Sequence, residues 1–185
     1  MQVMRTVLFL CFSFITLSSL SSHAQNAQTH LTSKIPQYFS VGQSLKQMSF
    51  TTIQGDDFNT SDLSEPVVMV HYWASWCPPC VMEFPLLLKT LREMNGQVAM
   101  IAVSLDYKAD AMQRYISKLG ADDLPIYWVH DAKYDLSARF YRIKGTPETV
   151  FLNKERTVIK HINDGYEWGT TESWKELTSM VAGSI

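Results

Sequence analysis

The order of apolar and polar positions divides the chain into alternating strand and helix signals. Val67-Val68-Met69-Val70-His71-Tyr72-Trp73 is a near-continuous apolar run, the pattern of a strand covered on both faces, and it predicts a central β-strand. Val98 to Ser104 predicts a second buried strand. Between them Pro78 and Pro79 can open a helix, because the first helical N–H groups have no intrahelical partner. Met82, Leu86, Leu87 and Met94 then recur at helical spacing, Gly96 closes the element, and Pro85 inside it predicts a kink. Downstream the pattern predicts a helix over Ala109 to Leu119, a short strand over Ile126 to Val129 and a helix over Lys133 to Tyr141. Strands over Thr149 to Leu152 and Thr157 to Ile162, separated by the turn-like Asn153-Lys154-Glu155-Arg156, precede a closing helix from about Thr170 to Met180. Upstream, Met48 to Ile53 and Phe58-Asn59 flank the turn candidate Gln54-Gly55-Asp56-Asp57 and predict a hairpin on the domain's edge.

Alternating strands and helices imply an α/β domain with a parallel core and helices on both faces, and the paired strands near the end imply an antiparallel edge, so the central sheet is mixed. The N-terminus follows a different pattern. Arg5 precedes an apolar run from Thr6 to about Leu20, shorter than the roughly 20 residues of a membrane span, and Ser21-Ser22-His23-Ala24 supplies small residues for cleavage. Residues 1–24 are therefore expected to be a secretory signal, 25–40 a flexible polar leader and 41–185 the folded domain. An uncleaved N-terminal membrane anchor is the alternative.

Composition narrows the function. The chain has 185 residues, 46% hydrophobic and 18% charged, with a formal net charge of -2, which fits one globular domain and leaves no basic stripe for nucleic acid. Cys11 follows Phe9 and Leu10, where a lipidation signal needs small residues, so it is read as part of the apolar run and leaves with the signal. Cys77 and Cys80 then remain, in a chain bound for an oxidising compartment such as the periplasm.

Cys77-Pro78-Pro79-Cys80 stands where a buried strand gives way to a helix. That placement puts Cys77 at a positive helix end, partly exposed, where a thiolate is favoured, with Cys80 one turn in and more buried. Cys77 is expected to attack and Cys80 to resolve. Because both prolines lack N–H, the Cys80 amide is the nearest backbone donor, and the Cys77 pKa should be lowered only moderately. A disulfide closing so small a loop constrains the unfolded chain little, which argues against a mere staple. His71, His130 and His161 show no paired spacing for zinc, and Val81 stands where haem attachment would need His. No cofactor is implied.

Trp73-Ala74-Ser75-Trp76-Cys77-Pro78-Pro79-Cys80, with Glu83-Phe84-Pro85 and the later Gly145-Thr146-Pro147-Glu148-Thr149, resembles exported bacterial thioredoxin-fold proteins of the TlpA, ResA and CcmG (DsbE) group. The resemblance spans about Val41 to Met180 and implies a thioredoxin-like fold with an N-terminal β-hairpin extension. It implies Cys77 as nucleophile, Cys80 as resolving thiol, and Pro147 as a cis-proline facing them. Thr146 would offer backbone hydrogen bonds to a substrate strand, and Trp76, Pro78 and Pro79 would border the docking surface. Glu83 matches a glutamate beside the ResA-like active site that could take the Cys80 proton; its plain reading is a first-turn glutamate favoured by the helix dipole. Glu148 matches the acidic residue after the cis-proline in CcmG-like members, or is a solvated strand-end charge. His71 stands where thioredoxin has a buried aspartate and this group often has asparagine. It reads either as a proton shuttle or, preferred, as a hydrogen-bonded core histidine. Asn153 replaces a common aspartate and reads as turn chemistry.

The function expected is an exported thiol-disulfide oxidoreductase acting mainly as a reductase on disulfide-containing proteins. The resemblance suggests apocytochrome c as a target and a membrane electron donor of the DsbD or CcdA type. A dithiol oxidase or isomerase of the same fold is the nearest alternative, and a metal-binding module using both cysteines is the alternative from another class.

Overall fold

The computed structural model describes residues 39–140 and 143–184, with the backbone alone over 138–140. The expected signal, and the leader as far as residue 38, lie outside the described residues. In chain order the elements are β1 (Ser49–Thr51), β2 (Asp57–Asn59), β3 (Val67–Trp73), α1 (Pro78–Glu93), β4 (Val98–Ser104), α2 (Ala109–Ile116) and β5 (Ile126–His130). A π-helical segment (Asp135–Phe140), β6 (Glu148–Leu152), β7 (Val158–Ile162) and α3 (Thr171–Ala182) complete it. Five strands form one mixed sheet in the order β5-β4-β3-β6-β7, while β1 and β2 form the separate hairpin.

β3 lies at the centre, parallel to β4 from Val67↔Val98 to Trp73↔Ser104 and antiparallel to β6 from Val68↔Leu152 to Tyr72↔Glu148. All its residues are buried, and the twofold side-chain period splits them between two cores. Val67, Met69 and Trp73 pack under α1 with Phe84, Leu87 and Leu91, joined by Met112 of α2 and Leu177 and Val181 of α3. Val68, Val70 and Tyr72 face the opposite core, covered by Phe39, Leu45, Met48, Phe50 and Leu63 from the N-terminal segment and by Leu136 of the π-helical segment. The same period turns His71 toward α1 and Glu148 away from it.

Phe39, assigned from the sequence to the leader, is buried, with its ring 5.5 Å from His161 and 6.3 Å from Tyr72. The ordered domain therefore starts before residue 41, because this ring closes the second core. The helix expected over Lys133 to Tyr141 is replaced by the π-helical segment, with Tyr141 outside the described residues. Asp131 captures the chain there, accepting hydrogen bonds from Ser137 N (2.8 Å) and Ser137 Oγ (2.6 Å). α2 stops at Ile116, three residues before the expected end, and continues as turns in which Leu119 N donates to Ile116 O (2.9 Å). α1 runs through Pro85. Proline lacks the N–H that would reach the carbonyl four residues earlier, and that carbonyl, Val81 O, accepts instead from Tyr115 Oη of α2 at 3.2 Å.

Candidate active site

A tight turn joins β3 to α1: Cys77 N donates to Ala74 O (3.1 Å), and Leu105 N donates to Trp73 O (2.8 Å). Cys77 is the N-cap of α1, extended at φ −89° and ψ 107°, with prolines at the first two helical positions. The Cys80 N–H, the first amide after them, is donated to Cys77 Sγ at 3.3 Å. The two cysteines are joined in a disulfide, with Cα atoms 5.3 Å apart.

Cys77 is more covered than its N-cap position suggests. In this oxidised form it is 3% exposed against 0% for Cys80, because the loop before β6 lies over it and brings the Thr146 carbonyl to 3.5 Å from Sγ. The Thr146–Pro147 peptide is cis. Trp76 stands beside the disulfide with 53% of its surface exposed, whereas Trp73 is wholly buried in the core.

Glu83 is not in the first turn of α1, which holds no acidic residue. It is buried at the sixth helical position, where the helix dipole has faded. Its Oε1 lies 3.4 Å from His71 Nε2, and its Oε2 accepts a long hydrogen bond from Tyr166 N at 3.4 Å. Burial pushes the carboxyl up to about 7, assisted by the Asp164 charge and opposed by the Tyr166 N–H and the Trp168 indole. His71 is fully buried on the α1 side, with Nδ1 2.9 Å from Thr149 Oγ1. Burial holds its pKa down to about 3, so the imidazole is neutral across the physiological range. Phe84 wedges the pair in place, its ring 5.4 Å from that of His71 and 4.7 Å from that of Trp73.

Glu148 is not a solvated strand-end charge. It is fully buried, accepting from Lys144 N at 3.0 Å and bonded to His161 Nε2 at 2.7 Å. The reason is its register on β6: opposite Tyr72, it stands on the face of the second core, which it shares with His161 of β7. Its carboxylate thereby anchors the loop carrying Thr146 and Pro147. Asn153 is a turn residue, its Oδ1 accepting from Thr157 N at 2.9 Å.

Sequence reading missed Asp106. Almost wholly buried just past β4, it accepts hydrogen bonds from Ser75 N (3.0 Å), Ser75 Oγ (2.6 Å) and Ser104 Oγ (2.7 Å), tying down the turn that presents Trp76 and Cys77. An acidic residue at the carboxyl end of a central parallel strand, where α/β sheets gather their sites, was the available signal. Among the described residues no group of three or more His, Cys, Asp or Glu side chains is placed to hold a metal ion.

A disulfide-bonded cysteine pair at the head of a helix, beside a cis-proline loop on this mixed sheet, is the arrangement of a thioredoxin-like fold. The chain belongs to the Redoxin family, whose profile matches residues 40–176. It is 27% identical over 131 residues to the thiol-disulfide oxidoreductase ResA of Halalkalibacterium halodurans, covering 70% of this chain and 72% of that protein. It is 29% identical over 128 residues to the sporulation thiol-disulfide oxidoreductase A of Bacillus subtilis, covering 69% and 74%. Among solved structures, a secreted Mycobacterium tuberculosis disulfide oxidoreductase homologous to Escherichia coli DsbE matches with a TM-score of 0.57 at 25% identity. That match covers 74% of this chain and 96% of the other. The protein is accordingly a thiol-disulfide oxidoreductase.

Proposed function

We propose that the protein is exported and works as a reductase, cycling Cys77 and Cys80 between dithiol and disulfide. The Cys77 thiolate attacks one sulfur of a target cystine, forming a mixed disulfide and releasing the other target sulfur as a thiolate. Cys80, losing its proton to Glu83, then attacks Cys77 Sγ. The Cys77–Cys80 bond forms, the second target sulfur leaves, and two electrons have passed to the target. Thr146 and Pro147 receive the target backbone, with Trp76 and the Pro78-Pro79 step bordering it.

The observation that carries the reducing direction is the environment of Cys77 Sγ. Among the described residues it accepts one backbone N–H, from Cys80, and it faces a carbonyl oxygen, Thr146 O. A carbonyl dipole disfavours a thiolate, and a dithiol whose reduced form is little stabilised gives its electrons up readily. An exported reductase needs resupply from across the membrane, so a DsbD- or CcdA-type donor and apocytochrome c as a target complete the proposal. No helix among the described residues is long and apolar enough to cross a membrane.

Insulin disulfides provide the test. The reduced protein should cleave them catalytically when dithiothreitol recycles it, and Cys77→Ser should abolish the activity. Tight stoichiometric metal binding without turnover would replace this reading with a metal-binding one.

A further inference from the structure

His71 is a buried ionisable group that the exchange steps do not use. Its place follows from register: it lies directly opposite Thr149 of β6, both side chains share one face of the sheet, and Nδ1 comes to 2.9 Å from Thr149 Oγ1. The other ring nitrogen, Nε2, is 3.4 Å from Glu83 Oε1 on α1. Neither of those two atoms has another hydrogen-bond partner among the described residues, and all three residues are more than nine-tenths buried. The chain of contacts has a direction. Among the described residues Thr149 Oγ1 meets only His71 Nδ1, so its O–H is satisfied when it donates to a bare Nδ1. A neutral imidazole bare at Nδ1 carries its proton on Nε2. The opposite tautomer would leave the hydroxyl proton without an acceptor and turn a lone pair on the carboxylate. Buried donors left in that way are rare and costly.

We propose that Thr149 and His71 are positioning residues for Glu83: the Thr149 hydroxyl selects the tautomer of the ring, and the neutral ring donates its Nε2–H to Glu83 Oε1, holding the carboxylate that receives the Cys80 proton. The proposal rests on the reading that Glu83 takes that proton from Cys80, one turn earlier on α1. His71 itself neither gains nor loses a proton, since burial holds its pKa down to about 3. The 3.4 Å separation is a few tenths of an ångström longer than a settled N–H···O bond, a gap that a small turn of the carboxyl closes. Oε2 is tied from its own side by Tyr166 N. A carboxylate has about four acceptor positions, so two such donors fix its plane and leave room for the incoming proton. Burial disfavours the carboxylate, as does the Asp164 charge, whereas the Tyr166 N–H and the Trp168 indole favour it. The Nε2–H adds a donor on the favouring side. Phe84 keeps the ring in place, meeting it edge-on at 5.4 Å.

The test is made on the oxidised protein, where no exchange is needed. Ring-nitrogen resonances of isotope-labelled histidine should show His71 with a proton on Nε2 and a bare Nδ1 from about pH 5 to about pH 9. A proton on Nδ1, or an imidazolium within that range, would overturn the proposal, and this measurement needs no variant. The Glu83 carboxyl resonance reads the consequence. Its titration midpoint should rise from about 7 in the native protein to above about 8 in His71→Leu, because a hydrogen bond to the charged form is lost. In His71→Gln, whose side-chain amide can donate to the same carboxylate, the midpoint should return toward 7. Thr149→Val, which keeps the shape and removes the hydroxyl, should move it in the same direction as His71→Leu by a smaller amount. A merely structural histidine would change stability and leave the midpoint in place. A midpoint unmoved in His71→Leu, or a rise that Gln does not reverse, would overturn the positioning role. The reading beneath it is tested separately by kinetics: resolution of a Cys77 mixed disulfide that does not accelerate between about pH 6 and about pH 8 would overturn Glu83 as proton acceptor, whatever the resonances show.

Discussion

His71 Nε2 and Glu83 Oε1 face each other at 3.4 Å between β3 and α1, both shielded from water. Burial moves the two groups in opposite directions, the carboxyl up to about 7 and the imidazole down to about 3. The result near neutral pH is a neutral histidine beside a carboxyl that is close to half protonated, not a fixed ion pair. A carboxyl poised there can accept a thiol proton at working pH, which a first-turn surface glutamate could not do as well.

If Glu83 takes the Cys80 proton, resolution of the mixed disulfide should accelerate as pH rises through about 7. Glu83→Gln should remove that limb of the profile and slow resolution by about 10²-fold. Stopped-flow measurement of product release from a preformed Cys77 mixed disulfide reads both. An unchanged pH profile in the variant would contradict the role.

The same pair shapes stability. Between pH 4.5 and about 7 the folded protein keeps a Glu83 proton that the unfolded chain has lost, so this group's contribution falls as pH rises. His71 acts oppositely: below 6.5 the unfolded chain takes up a proton that the folded ring refuses until about 3, so its contribution falls as pH falls. The two slopes offset between 4.5 and 6.5. Glu83→Gln removes one slope, and urea titrations of the oxidised proteins should show the variant gaining on the native protein, on the order of 3 kcal/mol by pH 7. A difference constant with pH would contradict the buried carboxyl.

Asp106→Ala would strand the Ser75 amide and two serine hydroxyls. Each buried polar group left unpaired costs about 1–3 kcal/mol, so a loss of about 3 kcal/mol is expected, against about 1 kcal/mol for Ser75→Ala. Denaturant midpoints measure both. Equal effects would show that Asp106 does not organise the turn.

Tyr115→Phe should cost about 1 kcal/mol by leaving Val81 O without its donor. Pro85→Ala restores an N–H able to reach that carbonyl, so in the double variant the Tyr115→Phe cost should largely vanish. Simple additivity of the two changes would refute this compensation.

Much of this architecture could be read along the chain. β3 and β4 coincide with the predicted apolar runs, and α1 starts at the predicted prolines, because those signals are local. Features set by distant partners were not legible. The Thr146 carbonyl that covers Cys77 comes from 69 residues away, and the Ser75 hydroxyl reaches Asp106 across 31. Glu148 looked like a surface charge because its partner, His161, lies on the neighbouring strand. The predicted helix near Asp135 was displaced by a buried carboxylate, Asp131, that competes for its backbone. In the candidate site the cysteine pair at the head of α1 and the core histidine of β3, His71, were legible from spacing and setting, while the burial of Glu83 against His71 was not.

The reduction potential of the Cys77/Cys80 pair, obtained by equilibration of the purified domain with glutathione or dithiothreitol buffers, tests the central claim most directly. A dithiol with one amide donor and a facing carbonyl should have a potential close to that of thioredoxin, about −270 mV. A value near that of the strong oxidant DsbA, about −120 mV, would mean that the reduced form is stabilised and that electrons run the other way.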